Sequence, residues 1–156
     1  MSDVAHQVED IMPILSRRGR LAIAAVVDIA LHAVSGPVAA KALAARQNLP
    51  PRHLEPLLQA LVRSGILKGL RGPRGGYDLA RERRSITCGE IVRATVEMAD
   101  DEFDTISPLV SAVVVPAVEA AERTYFAQLD RITISELCAA ASENLADSPN
   151  LQYETA

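Results

Sequence analysis

Apolar side chains recur along this chain mostly at helical rather than alternating spacing. Between Ser16 and Ala33, residues Leu21, Ala25, Val26, Ile29, Ala30 and Ala33 fall on one face, which predicts a buried helix. Ser35-Gly36-Pro37 ends it. A short helix then fits Ala39–Arg46, with Ala42 and Leu43 turned inward, and Gln47-Asn48-Leu49-Pro50 makes a turn. Pro51 suits the first position of the next helix, which runs to about Ser64 with Leu54, Leu57, Leu58 and Leu61 on one side. Gly65 stands at its C-terminal cap.

Beyond Gly65 the period changes. Ile66–Leu70 and Tyr77–Ala80 read as two short strands, and the glycines between them can supply the positive φ of a hairpin tip. Thr87 and Glu90 have capping-box spacing at the head of a helix over roughly Cys88–Met98. Residues 99–107, ADDEFDTIS, read as an acidic linker. A long helix follows from Pro108 or Pro116 to Asp130, since a proline at 116 either kinks it or starts it. Thr133 and Glu136 form a second capping box, opening a last helix to about Leu145. The expected organisation is a leader (1–15), a helix-turn-helix and hairpin unit (16–98), the linker (99–107), two C-terminal helices (108–146) and a tail (147–156). The expected fold class is mainly α: a winged helix-turn-helix domain with a small two-stranded β-wing and a long C-terminal helix.

Composition supports a packed helical domain. Of 156 residues, 49% are hydrophobic and only 3% aromatic, which suits a core of small aliphatic layers. The net charge of −4 argues against a polyanionic partner until its distribution is read. Residues 1–84 carry 13 Lys/Arg against 7 Asp/Glu, whereas residues 85–156 carry 3 against 13. Within 17–84 the only acids are Asp28, Glu55, Asp78 and Glu82, leaving that stretch at +9. A cationic face can bind phosphates whatever the net charge of the protein. The alternative is a charge dipole without function.

Two cysteines fifty positions apart, Cys88 and Cys138, make no disulfide framework and fit a reducing, cytoplasmic setting. The start of the chain, MSDVAHQVEDIMPILS, lacks the cationic opening of a signal peptide. No apolar stretch reaches the ~18 residues of a membrane span. His6, His32 and His53 are widely separated and suggest no metal site.

The candidate chemistry lies in the helix-turn-helix and the hairpin. GLRGPRGGYDL (69–79) places Arg71 and Arg74 at an exposed tip, where they can reach a phosphate or a narrow minor groove, with Gly72, Gly75, Gly76 and Tyr77 shaping the reversal. An ordinary solvated turn is the other reading. The first turn of a recognition helix points into the major groove, and here it offers Arg52, His53 and Glu55. Arg52 suits guanine or a phosphate, and Glu55 a cytosine amino group. Glu55 equally suits a helix N-terminal acid that stabilises the dipole. Arg17, Arg18 and Arg20 open the first long helix, where charge and unpaired backbone N–H groups favour a phosphate. Lys41 and Arg46 read as backbone contacts or solvated charges.

Two further features carry alternatives. Val118, Ala121, Tyr125, Leu129 and Ile132 repeat at three- and four-residue spacing, either as a dimer seam or as a stripe against the chain's own domain. Cys88 stands at a helix N-terminus, where the dipole lowers a thiol pKa; it reads as a redox thiol or as a small buried side chain.

LSRRGRLAIAAVVDIALHA (15–33), LPPRHLEPLLQALVRSGILKGLRGPRGGYDLAR (49–81) and ITCGEIVRA (86–94) resemble the Rrf-two family of bacterial winged-helix regulators, the IscR-, NsrR- and CymR-like repressors. The resemblance implies a homodimer on double-stranded DNA at a pseudo-palindromic operator, with the long C-terminal helix as the dimerisation element. Cluster-binding relatives carry three close cysteines in the loop before that helix. ATVEMADDEFDTISPL (94–109) has none, and an iron–sulfur cluster needs about four protein ligands. The expectation is a regulator with no cofactor and no enzymatic activity. The CymR-like branch, with its enzyme partner, offers the alternative of a regulator acting mainly by docking another protein. Pro56 lies where relatives often have a DNA-contacting glutamine, so no relative's operator sequence transfers.

Overall fold

The computed structural model describes residues 14–96, 98 and 107–146. The expected tail, most of the leader and all of the expected linker except Ser107 lie outside these residues. Helix α1, Arg17–His32, begins where the Ser16 hydroxyl accepts the Gly19 N–H at 3.1 Å. Ala22, Ala25, Val26, Ile29 and Ala30 are buried along one face, and the small alanines let neighbouring helices approach closely. Helix α2, Ala40–Arg46, has no side-chain cap at Ala39. It buries Leu43 and Ala44, while Ala42, expected to point inward, is exposed. Over only seven residues, periodicity does not define the inward face of a helix.

Helix α3, Pro51–Arg63, starts on Pro51 and buries Leu54, Leu57, Leu58 and Leu61. It continues through Pro56, which is exposed. Its end is a Schellman motif. Gly65, at φ +73°, donates to the Val62 carbonyl and Ile66 to the Leu61 carbonyl, each at 3.0 Å. The chain thereby reverses directly into strand β1, Leu67–Leu70, which pairs antiparallel with β2, Gly76–Leu79, in the register Leu67↔Leu79 and Leu70↔Gly76. A single 3₁₀ turn, Arg83–Ser85, leads to helix α4, Cys88–Val96, opened by the reciprocal Thr87–Glu90 capping box.

After the linker, a π-helix over Val110–Val114 is continuous with helix α5, Val115–Leu129. Both alternatives for the start of this helix are thus partly realised: helical backbone begins at Pro108, and Pro116 falls within the first turn after the π segment. Helix α6, Ile134–Leu145, opens with the Thr133–Glu136 capping box and returns to pack on α1. The core unites α1, α3, α4, β1 and α6 through Val26, Ile29, Leu58, Leu67, Ile91 and Ile134. None of the residues of α5 is buried. The fold is mainly helical with a two-stranded wing, as the sequence predicts.

Candidate nucleic-acid interface

Helices α2 and α3 are joined by a tight turn in which Asn48 takes φ +54°, an αL value that asparagine tolerates. The turn presents the first residues of α3 outward, with Arg52, His53 and Glu55 all exposed. Arg17 and Arg18 of α1 line one groove together with Arg52 and His53 of α3, over an apolar floor that includes Leu21 and Leu57. Cations thirty-five residues apart in sequence thus share one concave surface. Arg18 is partly committed, its Nη1 donating to the Met98 carbonyl at 2.7 Å. Arg20 is exposed on α1 but does not line this groove, and Glu55 stands outside it as well.

The wing lies against a second connection. Val38, in the segment between α1 and α2, exchanges two 2.8 Å backbone hydrogen bonds with Tyr77 of β2. Gly76 makes this approach possible, since a Cβ there would sit 2.3 Å from the Val38 carbonyl oxygen. Tyr77 is half-buried and packs on the core, so it anchors the wing from behind. Gly72, at φ +114°, turns the tip, and Gly75 closes on the Leu70 carbonyl, where a Cβ would lie 2.3 Å away. Arg71 and Arg74 remain exposed at the tip.

Several cations counted in the basic stretch serve the fold instead. Arg46, expected as a solvated or backbone-contacting charge, forks its Nε and Nη2 onto the Asp28 carboxylate, with its Nη2 2.7 Å from Oδ1. Asp28 is only 3% exposed and also accepts from Gln47 at 3.2 Å. The His32 ring stands one turn along α1, its Nδ1 2.7 Å from the Asp28 carbonyl and 3.3 Å from the carboxylate. This cluster ties the end of α2 and the start of the turn to α1. Arg83 donates to the Ala30 carbonyl, and Arg81 pairs with Glu90 at 3.1 Å. Asp28 was the one available signal, an acid among the apolar positions of a buried face.

Cys88 is buried, and burial, reinforced by Glu136, pushes its thiol up. That direction, set first by desolvation of the thiolate, is opposite to the one a helix terminus favours. Burial also pushes the Cys138 thiol up, opposed by Arg83. Of the expected seam, Val118 and Ala121 are exposed and Tyr125 and Leu129 half-buried. Ile132 is not on the helix. It lies past the end of α5, where its carbonyl accepts the Cys88 N–H at 2.9 Å. The exposed apolar surface extends toward the other end, with Leu109 at 65% and Val113 at 57%.

Recognition helix, preceding helix and wing compose a winged helix-turn-helix of the DNA-binding type. Residues 15–140 match the Rrf2 family, described as "Iron-dependent Transcriptional regulator", and the chain belongs to that family of regulators rather than to one of enzymes. Among curated relatives, "Putative HTH-type transcriptional regulator ORF2" of Azotobacter vinelandii is 38% identical over 86 residues, 55% of this chain and 52% of the relative. "HTH-type transcriptional regulator IscR" of Escherichia coli (strain K12 / DH10B) is 37% identical over 86 residues, 55% of this chain and 53% of the relative. The chain spans about half the length of the curated relatives it matches. Among solved structures, T. potens IscR superposes with a TM-score of 0.66 at 32% identity, covering 87% of this chain and 92% of that one. CymR (YrzC), "the Global Cysteine Regulator of B. subtilis", gives 0.60 at 27% identity, covering 83% and 98%.

The family description raises the question of iron. Thiolate ligands are limited to Cys88 and Cys138, which lie on different helices with their thiols buried and raised. Among the described residues no three His, Cys, Asp or Glu side chains group as metal ligands. This donor set does not fit an iron–sulfur cluster. Among the described residues no helix is long and apolar enough to cross a membrane.

Proposed function

We propose that this protein is a cytoplasmic, homodimeric repressor that binds a pseudo-palindromic operator in duplex DNA without using an iron–sulfur cluster. The observation that carries this reading is the groove shared by Arg17, Arg18, Arg52 and His53 beside the exposed first turn of α3. With α3 in the major groove, Arg52 and His53 meet base edges or flanking phosphates, and Glu55 accepts from a cytosine amino group. Arg17, Arg18 and Arg20 hold the DNA backbone. Arg71 and Arg74 reach the adjacent minor groove from a tip shaped by Gly72, Gly75 and Gly76 and anchored through Tyr77. Two copies join through α5, by Val118, Ala121, Tyr125 and Leu129 with Ile132 at the edge. The unburied valines of the π segment extend that seam.

Salt dependence of duplex affinity tests the reading. Six or more phosphate contacts require affinity to fall by roughly a thousandfold between about 50 and 200 mM salt. A shallow dependence, with binding instead to another protein, would favour the partner-docking alternative.

A further inference from the structure

We infer that Arg93, Phe126 and Asp130 form a brace that sets the angle of the long helix against the reading domain, and so selects the separation of the two half-sites. This rests on the dimeric DNA-binding reading above. Arg93 of α4 grips Asp130 at both ends, Nη1 to Oδ1 at 2.7 Å and Nη2 to Oδ2 at 2.9 Å. Its guanidinium carbon also lies 4.8 Å from the centroid of the Phe126 ring. A planar fork held by a carboxylate and an aromatic face has far less orientational freedom than a point charge. Gly89, one turn earlier on α4, lets the carboxylate in: a Cβ there would fall 1.8 Å from Asp130 Oδ1.

The position of the brace matters more than its strength. α5 buries none of its residues, so its direction is not fixed by insertion into the core. Its anchored end is the turn at 130–133, where Cys88 N–H donates to Ile132 and Ile134 N–H to Ile86, each at 2.9 Å. The exposed apolar stretch from Leu109 to Val118 lies at the opposite end. Residues 108–129 make a lever about 30 Å long at ~1.5 Å per residue. A tilt of about 10° at the brace moves the far end by about 5 Å, more than the ~3.4 Å step between base pairs. With the copies joined along α5 as far as its π segment, the angle at the brace fixes where the two α3 helices fall along the duplex. The pair is solvent-exposed, with side chains 50% and 39% accessible, so its effect on stability is small and its effect on geometry is what can be read.

The test uses the full chain and a duplex selected by the wild type from a random library. That duplex is then offered with one to three base pairs inserted or deleted between the half-sites, alongside a single half-site. The wild type should lose at least about tenfold on respacing, because simultaneous engagement is forbidden. Arg93→Ala, and independently Gly89→Ala, should shrink that loss to about twofold while half-site affinity, sedimentation and Tm stay near wild type. Arg93→Lys, which keeps the charge but not the fork, should fall between. Full spacing discrimination in Arg93→Ala overturns the brace, and so does a parallel loss of half-site affinity in that variant. A wild type that binds no duplex, or sediments as a monomer, instead overturns the dimeric reading on which the brace depends.

Discussion

Asp28 is the residue whose environment departs furthest from its chemistry. A carboxylate on a helix face otherwise built from Ala25, Val26 and Ile29 is tolerable only because Arg46, Gln47 and His32 surround it. Removing one partner of a buried pair strands the other, at a cost of about 3 kcal/mol. Arg46→Ala should therefore lower Tm by about 10 °C in calorimetry for a chain of this size. A second prediction concerns the thiols. With both held above their ordinary range by burial, Cys88 and Cys138 should react with an aromatic disulfide reagent at neutral pH only after denaturant is added. Rapid labelling of the native protein would contradict that burial. Local readings of charge missed the first cluster because Asp28 and Arg46 are eighteen residues apart, with no period linking them. They left Cys88 open between a redox thiol and a small buried side chain, because a helix terminus is visible in sequence and desolvation is not.

At the scale of elements, the helices and wing were legible because their signals are local. The capping boxes at Thr87–Glu90 and Thr133–Glu136, the Pro51 start and the Gly65 stop each depend on residues within a few positions of one another. The π segment was not legible, since a run of valines carries no periodic cue to a wider turn. Nor was the contact of α4 with α5, which joins residues thirty-seven positions apart. Its pH dependence is testable. Hydrogen bonding to Arg93 holds the Asp130 carboxyl below the usual carboxylate range. A lowered folded-state pKa gives stability that is present above the unfolded value and lost as pH falls through the folded one. The Tm difference between wild type and Asp130→Asn, small for so exposed a pair, should hold steady from about pH 7 to about pH 5 and close below about pH 4. A gap that widens on acidification would show that the carboxylate is not held by the arginine.

For the whole molecule, basic residues gather within 17–84, whereas the π segment and α5 carry an exposed apolar surface. Val114 is 44% exposed and belongs to no core, so a charge there should leave folding intact. Val114→Glu should shift the protein to monomer in sedimentation at micromolar concentration with Tm unchanged; a persistent dimer would move the interface elsewhere. The three-part pattern of the sequence, helical then hairpin then helical, made this architecture visible. The direction in which the long helix leaves the domain depended on side chains that no window of residues brings together.

The π-helix has a consequence at the level of the gene. A π turn holds one residue more than the α turn it replaces. Loss of a single codon within 110–114 would restore regular α-helix and leave the residues on either side facing much as before. The exposed leucine at 109, α5 and the brace would all keep their directions. The same loss within α5, where no extra residue is absorbed, would instead turn that leucine by about 100° against the brace.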